Sequence, residues 1–124
     1  MPKTHVVFYK ELDGSVPVLE WLMSLPKEVE VKCFSRIDRL EEYGYELRRP
    51  ECDILERGIY ELRIRYGHVN YRILYGFAGR QVAVLAHSCT KEKRVSLRDI
   101  DLAIRRLNYI KENFAIHKYE RLMK

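Results

Sequence analysis

No stretch of the chain approaches the roughly 18 consecutive apolar residues that would span a bilayer. Met1 to Tyr9 lack the basic, apolar and small-residue order of a secretory signal. A cytoplasmic protein is expected. Cysteine is scarce: Cys33, Cys52 and Cys89 are odd in number, widely spaced and in no CxxC pair, so neither a disulfide framework nor a zinc site is signalled. They read as reduced fillers of a small core. A Gly-rich phosphate loop, HExxH, GxSxG and clustered Asp/Glu are also missing, which argues against nucleotide hydrolysis, zinc proteolysis, serine hydrolysis and two-metal nuclease chemistry. No cofactor and no metal are expected. Repeats, low-complexity tracts and Ser/Gly linkers are absent too, and 124 residues hold one core rather than two ordinary domains. One domain over residues 1–124 follows.

What is present is basic charge, unevenly placed. The formal net charge is +5, yet residues 1–56 carry 8 Lys/Arg against 12 Asp/Glu and residues 57–124 carry 15 against 6. A half near −4 thus precedes one near +9. Such asymmetry points to a polyanion surface in the second half. A solvated basic face kept for solubility is the plainer alternative.

The pattern along the chain predicts an α+β domain. His5 to Lys10 is rich in β-branched and aromatic residues and stops at Asp13-Gly14, as a strand and turn would. Ser15 is placed to cap a short helix with Pro17 in its first turn and Val18, Leu19, Trp21 and Leu22 as its apolar surface. Ser24 and Pro26 mark a second helix, in which Val29, Cys33, Phe34, Ile37 and Leu40 recur at helical spacing and Gly44 suits the position past the end. The two should form a helical hairpin. Residues 45–57, with Pro50, read as a connecting loop. Ile59 to Tyr66, Val69 to Phe77 and Gln81 to Cys89 then form a three-stranded meander with turns at Gly67-His68 and Gly79-Arg80. Ser96 and Asp99 make a capping box for a last helix with the stripe Ile100, Ala103, Ile104, Leu107, Ile110 and Phe114. His117 to Lys124 either continues that helix or frays. The expected architecture is a small antiparallel sheet, an N-terminal strand plus the meander, packed with the hairpin and the last helix.

Strand side chains alternate between faces. Tyr60, Leu62, Ile64 and Tyr66 therefore point to the core while Glu61, Arg63 and Arg65 point away, and in the next strand Asn70 and Arg72 take the open face. A two-residue turn at Gly67-His68 pairs Tyr66 with Val69 and places Arg63 opposite Arg72. The same turn at Gly79-Arg80 places Arg72 opposite His87. Like charges directly opposite destabilise a sheet, so such a row is best explained by an anion. Lys91, Lys93 and Arg94 follow immediately, giving a cationic pocket with one imidazole. The bland readings are an ion pair of Arg63 or Arg72 with Glu61, a structural His87, and an exposed charged turn at 91–94. His5, His68 and His117 read as surface residues.

RNA carries its own nucleophile, the 2′-hydroxyl. Its cleavage needs a base, cations for the phosphorane-like transition state and an acid for the leaving 5′-oxygen. Arginines and lysines supply the cations; His87 or a lysine could supply the base, and Arg94 or Lys91 could help the leaving group.

Four segments carry a resemblance: Gly58 to Arg63 (GIYELR), Tyr71 to Tyr75 (YRILY), Leu85 to Lys93 (LAHSCTKEK) and Asp99 to Ala103 (DIDLA). In order and spacing they resemble the phage-derived HigB-type branch of the RelE/ParE toxin superfamily, over about residues 5–114 with the opening strand and the Trp21-Leu22 helix. The resemblance implies a RelE-like fold and a metal-independent endoribonuclease that cuts mRNA in the ribosomal A site. It also implies a cognate antitoxin, commonly a helix-turn-helix protein, in a hetero-oligomer with the toxin. Arg63, Arg72, Lys91, Lys93 and Arg94 match the family's functional cations. Four of these with His87 make a catalytic set of Arg63, Arg72, His87, Lys91 and Arg94, flanked by Arg65, Lys93 and Arg98 as RNA contacts. The chain departs from the RelE pattern in having no aromatic residue close after Arg94, and in carrying Glu61 and Glu92 where a more basic residue is common. The superfamily also contains ParE-type inhibitors of DNA gyrase, and a catalytically inactive nucleic-acid-binding module is a third reading.

Overall fold

The computed structural model describes residues 3–90 and 94–120. Strands β1 (His5–Tyr9), β2 (Cys52–Ile54), β3 (Tyr60–Tyr66), β4 (Val69–Phe77), β5 (Val82–Thr90) and β6 (Lys118–Glu120) form one sheet in the order β2-β3-β4-β5-β1-β6. Helices α1 (Pro17–Met23) and α2 (Lys27–Tyr43) lie on one face. Helix α3 (Leu97–Glu112) lies on the other, and α4 (Phe114–His117) is one turn that leads into β6. This is an α+β, RelE-like arrangement with a larger sheet than expected. None of its helices is long and apolar enough to cross a membrane among the described residues.

Period-two alternation builds both cores. Leu62, Ile64, Ile73, Tyr75 and Leu85 meet Val29, Cys33, Ile37 and Leu40 of α2 on one side. Leu74, Val84 and Ala86 meet Ile100, Ala103, Leu107 and Ile110 of α3 on the other. The apolar stripes expected for α2 and α3 are the surfaces that pack, and burial pushes the Cys33 thiol up to about 12. At Gly76 α3 packs tightly on the sheet. A Cβ there would stand 2.6 Å from Leu107 Cδ2 and 3.2 Å from the Gly58 carbonyl oxygen. Gly76→Ala is therefore expected to destabilise the fold by about 1–3 kcal/mol through overpacking. Urea denaturation reads this as a lower midpoint at unchanged slope.

Several expectations need correction. β1 runs parallel to β5, because no hairpin joins the two and their direction is set by the chain crossing over α1 and α2. The 45–57 loop contributes the edge strand β2, and residues 118–120 neither continue a helix nor fray but pair antiparallel with β1 as β6. The cap of α1 is Val16 rather than Ser15, whose hydroxyl instead bonds Asp13; Pro17 does take the first turn. Ser24 closes α1, and α2 starts at Lys27 without a side-chain cap. His117 is buried, not surface: its ring stacks 5.3 Å from Tyr9 and its Nδ1 donates to the Lys10 carbonyl at 2.9 Å.

Candidate functional site

The two-residue turn at Gly67-His68 sets the β3–β4 register, with Tyr66 opposite Val69 and Arg63 opposite Arg72, as expected. On the same face β2 places Asp53 opposite Glu61. Two like-charged pairs thus face each other directly, and diagonal contacts relieve both. Glu61 Oε1 accepts from Arg63 Nε at 2.7 Å and from Arg72 Nη1 at 2.8 Å. Asp53 Oδ2 lies 3.3 Å from Arg63 Nη2. The anion called for by the arginine pair is therefore, in the free protein, Glu61.

Burial separates the roles of these groups. Glu61 is 1% exposed and the Arg72 side chain 10%, whereas the Arg63 side chain is 45% exposed. The hydrogen bond to Glu61 raises the basicity of Arg63. Burial pushes the Asp53 carboxyl up, but bonds from Arg49 and the Ile54 amide with the nearby Arg63 charge outweigh it and hold the carboxyl below its usual range. One buried atom of each central partner, Glu61 Oε2 and Arg72 Nε, has no hydrogen-bond partner among the described residues. An unpaired buried polar atom is costly, so each of these two is a position able to make one more hydrogen bond.

Glu61 and Arg72 line a cleft of about 840 Å³ between the β2–β3–β4 end of the sheet and the start of α3. Asp53, Glu56, Glu61, Arg63, Arg72 and Arg94 supply its charged lining, with Val95, Ser96, Leu97 and Ile100 on the α3 side. Arg63, Arg72 and Arg94 of the sequence-derived set are thus brought together. Arg65 is exposed on the same strand face, its Nε 3.4 Å from the Gly67 carbonyl, and Arg98 is exposed in the first turn of α3; neither lines the cleft. Lys91 and Lys93 lie outside the described residues.

His87 departs from its expected place. The β4–β5 connection spans residues 79–81, with the Ala78 amide donating to the Val82 carbonyl, so it is three residues rather than two. A bulge then follows, since Tyr75 pairs with Leu85 but Leu74 with His87. Arg72 consequently faces Cys89, and His87 sits opposite Leu74. The two one-residue shifts cancel in face but move His87 under α3, and it does not line the cleft. Its Nε2 donates to Asp99 Oδ1 at 2.9 Å, while Asp99 Oδ2 accepts from the Ser96 hydroxyl and amide in the expected capping box.

Burial pushes the Asp99 carboxyl up, but the hydrogen bonds from His87 and Ser96 together outweigh it and hold the carboxyl at about 2. Because the folded value lies below the unfolded one, the group favours folding above about pH 4, by about 2 kcal/mol. That contribution is lost as pH falls from about 4 to about 2. Thermal denaturation across this range is expected to show the loss in the wild type and a flatter acid dependence in Asp99→Asn.

Sequence reasoning undervalued Glu61, visible in the strand pattern as sharing a face with Arg63, and missed Asp53, which sits in a three-residue edge strand with no periodicity to read. The assembled cleft offers guanidinium donors for a phosphate and one buried carboxylate beside them. Among the described residues no three His, Cys, Asp or Glu side chains gather as a metal cluster.

No curated protein matches the sequence. A family model described as phage-derived protein Gp49-like (DUF891) matches residues 20–108, from α1 through most of α3 and including every cleft residue. The chain belongs to this phage-derived Gp49-like family, a toxin-like family related to RelE.

Proposed function

We propose that this protein is the toxin of a type II toxin–antitoxin pair, an mRNA endoribonuclease of the HigB type that acts on ribosome-bound message without a metal. The observation that carries the reading is the cleft in which Arg63, Arg72 and Arg94 converge, with Arg72 Nε without an acceptor among the described residues. Guanidinium groups fit a phosphodiester as fixed donors and stabilise the charge that builds on its non-bridging oxygens during in-line attack. The exposed Arg63 reaches the scissile phosphate, Arg72 holds its position from below, and Arg94 at the rim supports the leaving oxygen. Arg65 and Arg98, exposed to either side, contact flanking phosphates. The partner is an antitoxin, a helix-turn-helix protein whose acidic segment covers the cationic face and silences the cleft.

Adding the purified protein to a reconstituted translation system and, separately, to a gyrase supercoiling assay tests the reading. Arrested translation with cut message and normal supercoiling is expected. Blocked supercoiling with intact message would assign the chain to gyrase inhibition instead. RNA binding that is salt-sensitive but never followed by cleavage would make it a non-enzymatic module.

A further inference from the structure

We propose that Glu61 is the general base of the cleavage, taking the proton of the ribose 2′-hydroxyl on its Oε2 atom; this rests on the nuclease reading above. The fold holds a carboxylate at 1% exposure, ties Oε1 to Arg63 and Arg72, and leaves Oε2 without a partner among the described residues. A carboxylate with one oxygen anchored and the other unclaimed, on the wall of a cleft of about 840 Å³, is able to accept one more hydrogen bond. The 2′-hydroxyl of a nucleotide in the cleft donates such a bond once the buried Oε2 is uncovered.

Access depends on Arg63. Of the two arginines bound to Glu61 it is the exposed one, and it already has a second carboxylate, Asp53, within 3.3 Å. A phosphodiester in the cleft draws the Arg63 guanidinium off Oε1 and onto a non-bridging oxygen. That movement opens the path to Oε2. Glu61 then removes the 2′ proton, O2′ forms a bond to phosphorus, and the P–O5′ bond breaks with the electron pair leaving on O5′, which water protonates. The products are a 2′,3′-cyclic phosphate and a 5′-hydroxyl, and the proton on Glu61 returns to solvent, so the transesterification is neutral in protons. His87 is excluded from this step by position, held under α3 by Asp99 and away from the cleft lining.

The test compares wild type with Glu61→Gln in single-turnover cleavage of message on programmed ribosomes, across pH. Glutamine keeps the oxygen that accepts from Arg63 and Arg72 but cannot take a proton, so it separates a base from a clamp. The proposal expects a loss of about 10²–10⁴-fold and the disappearance of the acid limb of the pH–rate profile. Should the variant fold poorly, the wild-type profile alone decides: a base requires the rate to fall about tenfold per pH unit on the acid side. Cleavage by Glu61→Gln at the wild-type rate, or a wild-type profile flat on the acid side, overturns the role of Glu61 and leaves the nuclease intact. A wild type that cuts nothing overturns the nuclease reading and this role with it.

Discussion

Glu61→Ala is expected to lower the stability of the fold by about 3–5 kcal/mol, the usual cost of breaking a buried ion pair from one side. Thermal denaturation should show a midpoint about 10–20 °C below wild type. The size follows from what the carboxylate does. Arg72 is 8% exposed, and Glu61 Oε1 at 2.8 Å is the acceptor that compensates its burial. Without it a guanidinium remains in the protein interior directly opposite Arg63, the arrangement that β-sheets tolerate least. Replacing Glu61 and Arg72 together by apolar residues of similar size should recover much of the loss, because the penalty comes from the unpaired charge more than from the missing attraction. An alanine variant as stable as wild type would mean that the Glu61–Arg72 contact is not what holds this end of the sheet.

Arg63→Ala is expected to do the opposite: a small change in stability and a large one in activity. Its side chain is 45% exposed and so only partly desolvated, and although its partner Glu61 is buried, Arg72 still compensates that carboxylate, so the loss is expected to be about 1 kcal/mol. Glu61 would still be held by Arg72. In the cleft, however, Arg63 is the guanidinium free to follow the phosphate into the transition state, and removing one such donor costs about 10²–10³-fold in rate. Cleavage on programmed ribosomes should fall by that factor while the thermal midpoint stays within a few degrees. The contrast between the two variants separates the part of the network that stabilises the sheet from the part that acts on substrate.

How much of this was legible in the sequence depended on turns. Gly67-His68 makes a two-residue hairpin, so counting outward from it places Arg63 against Arg72 correctly. The next connection includes Gln81 as well as Gly79 and Arg80, and an apolar strand then absorbs an extra residue beside Leu85. Nothing in the run Val82-Ala83-Val84-Leu85-Ala86 marks that bulge, since any of these residues fits either side of a sheet covered on both faces. His87 was therefore assigned to the right face and the wrong depth. β2 and β6 escaped notice for another reason: three residues, each strand carrying a charge, are too few to establish a period. Helices α2 and α3 were readable because their apolar stripes are long and each meets its own core. The arginines of the cleft were legible from strand alternation, while the meaning of Glu61 was not. A carboxylate in that row looks like a departure from a basic site until its distances to Arg63 and Arg72 show it as the group that holds them.

Primer extension on a reporter message, in cells induced to express the wild type or Arg63→Ala, decides whether this cleft cuts mRNA. Growth arrest with discrete cuts in register with the reading frame is expected in the wild type, and their loss in the variant. Growth arrest with intact message in both would contradict the nuclease reading.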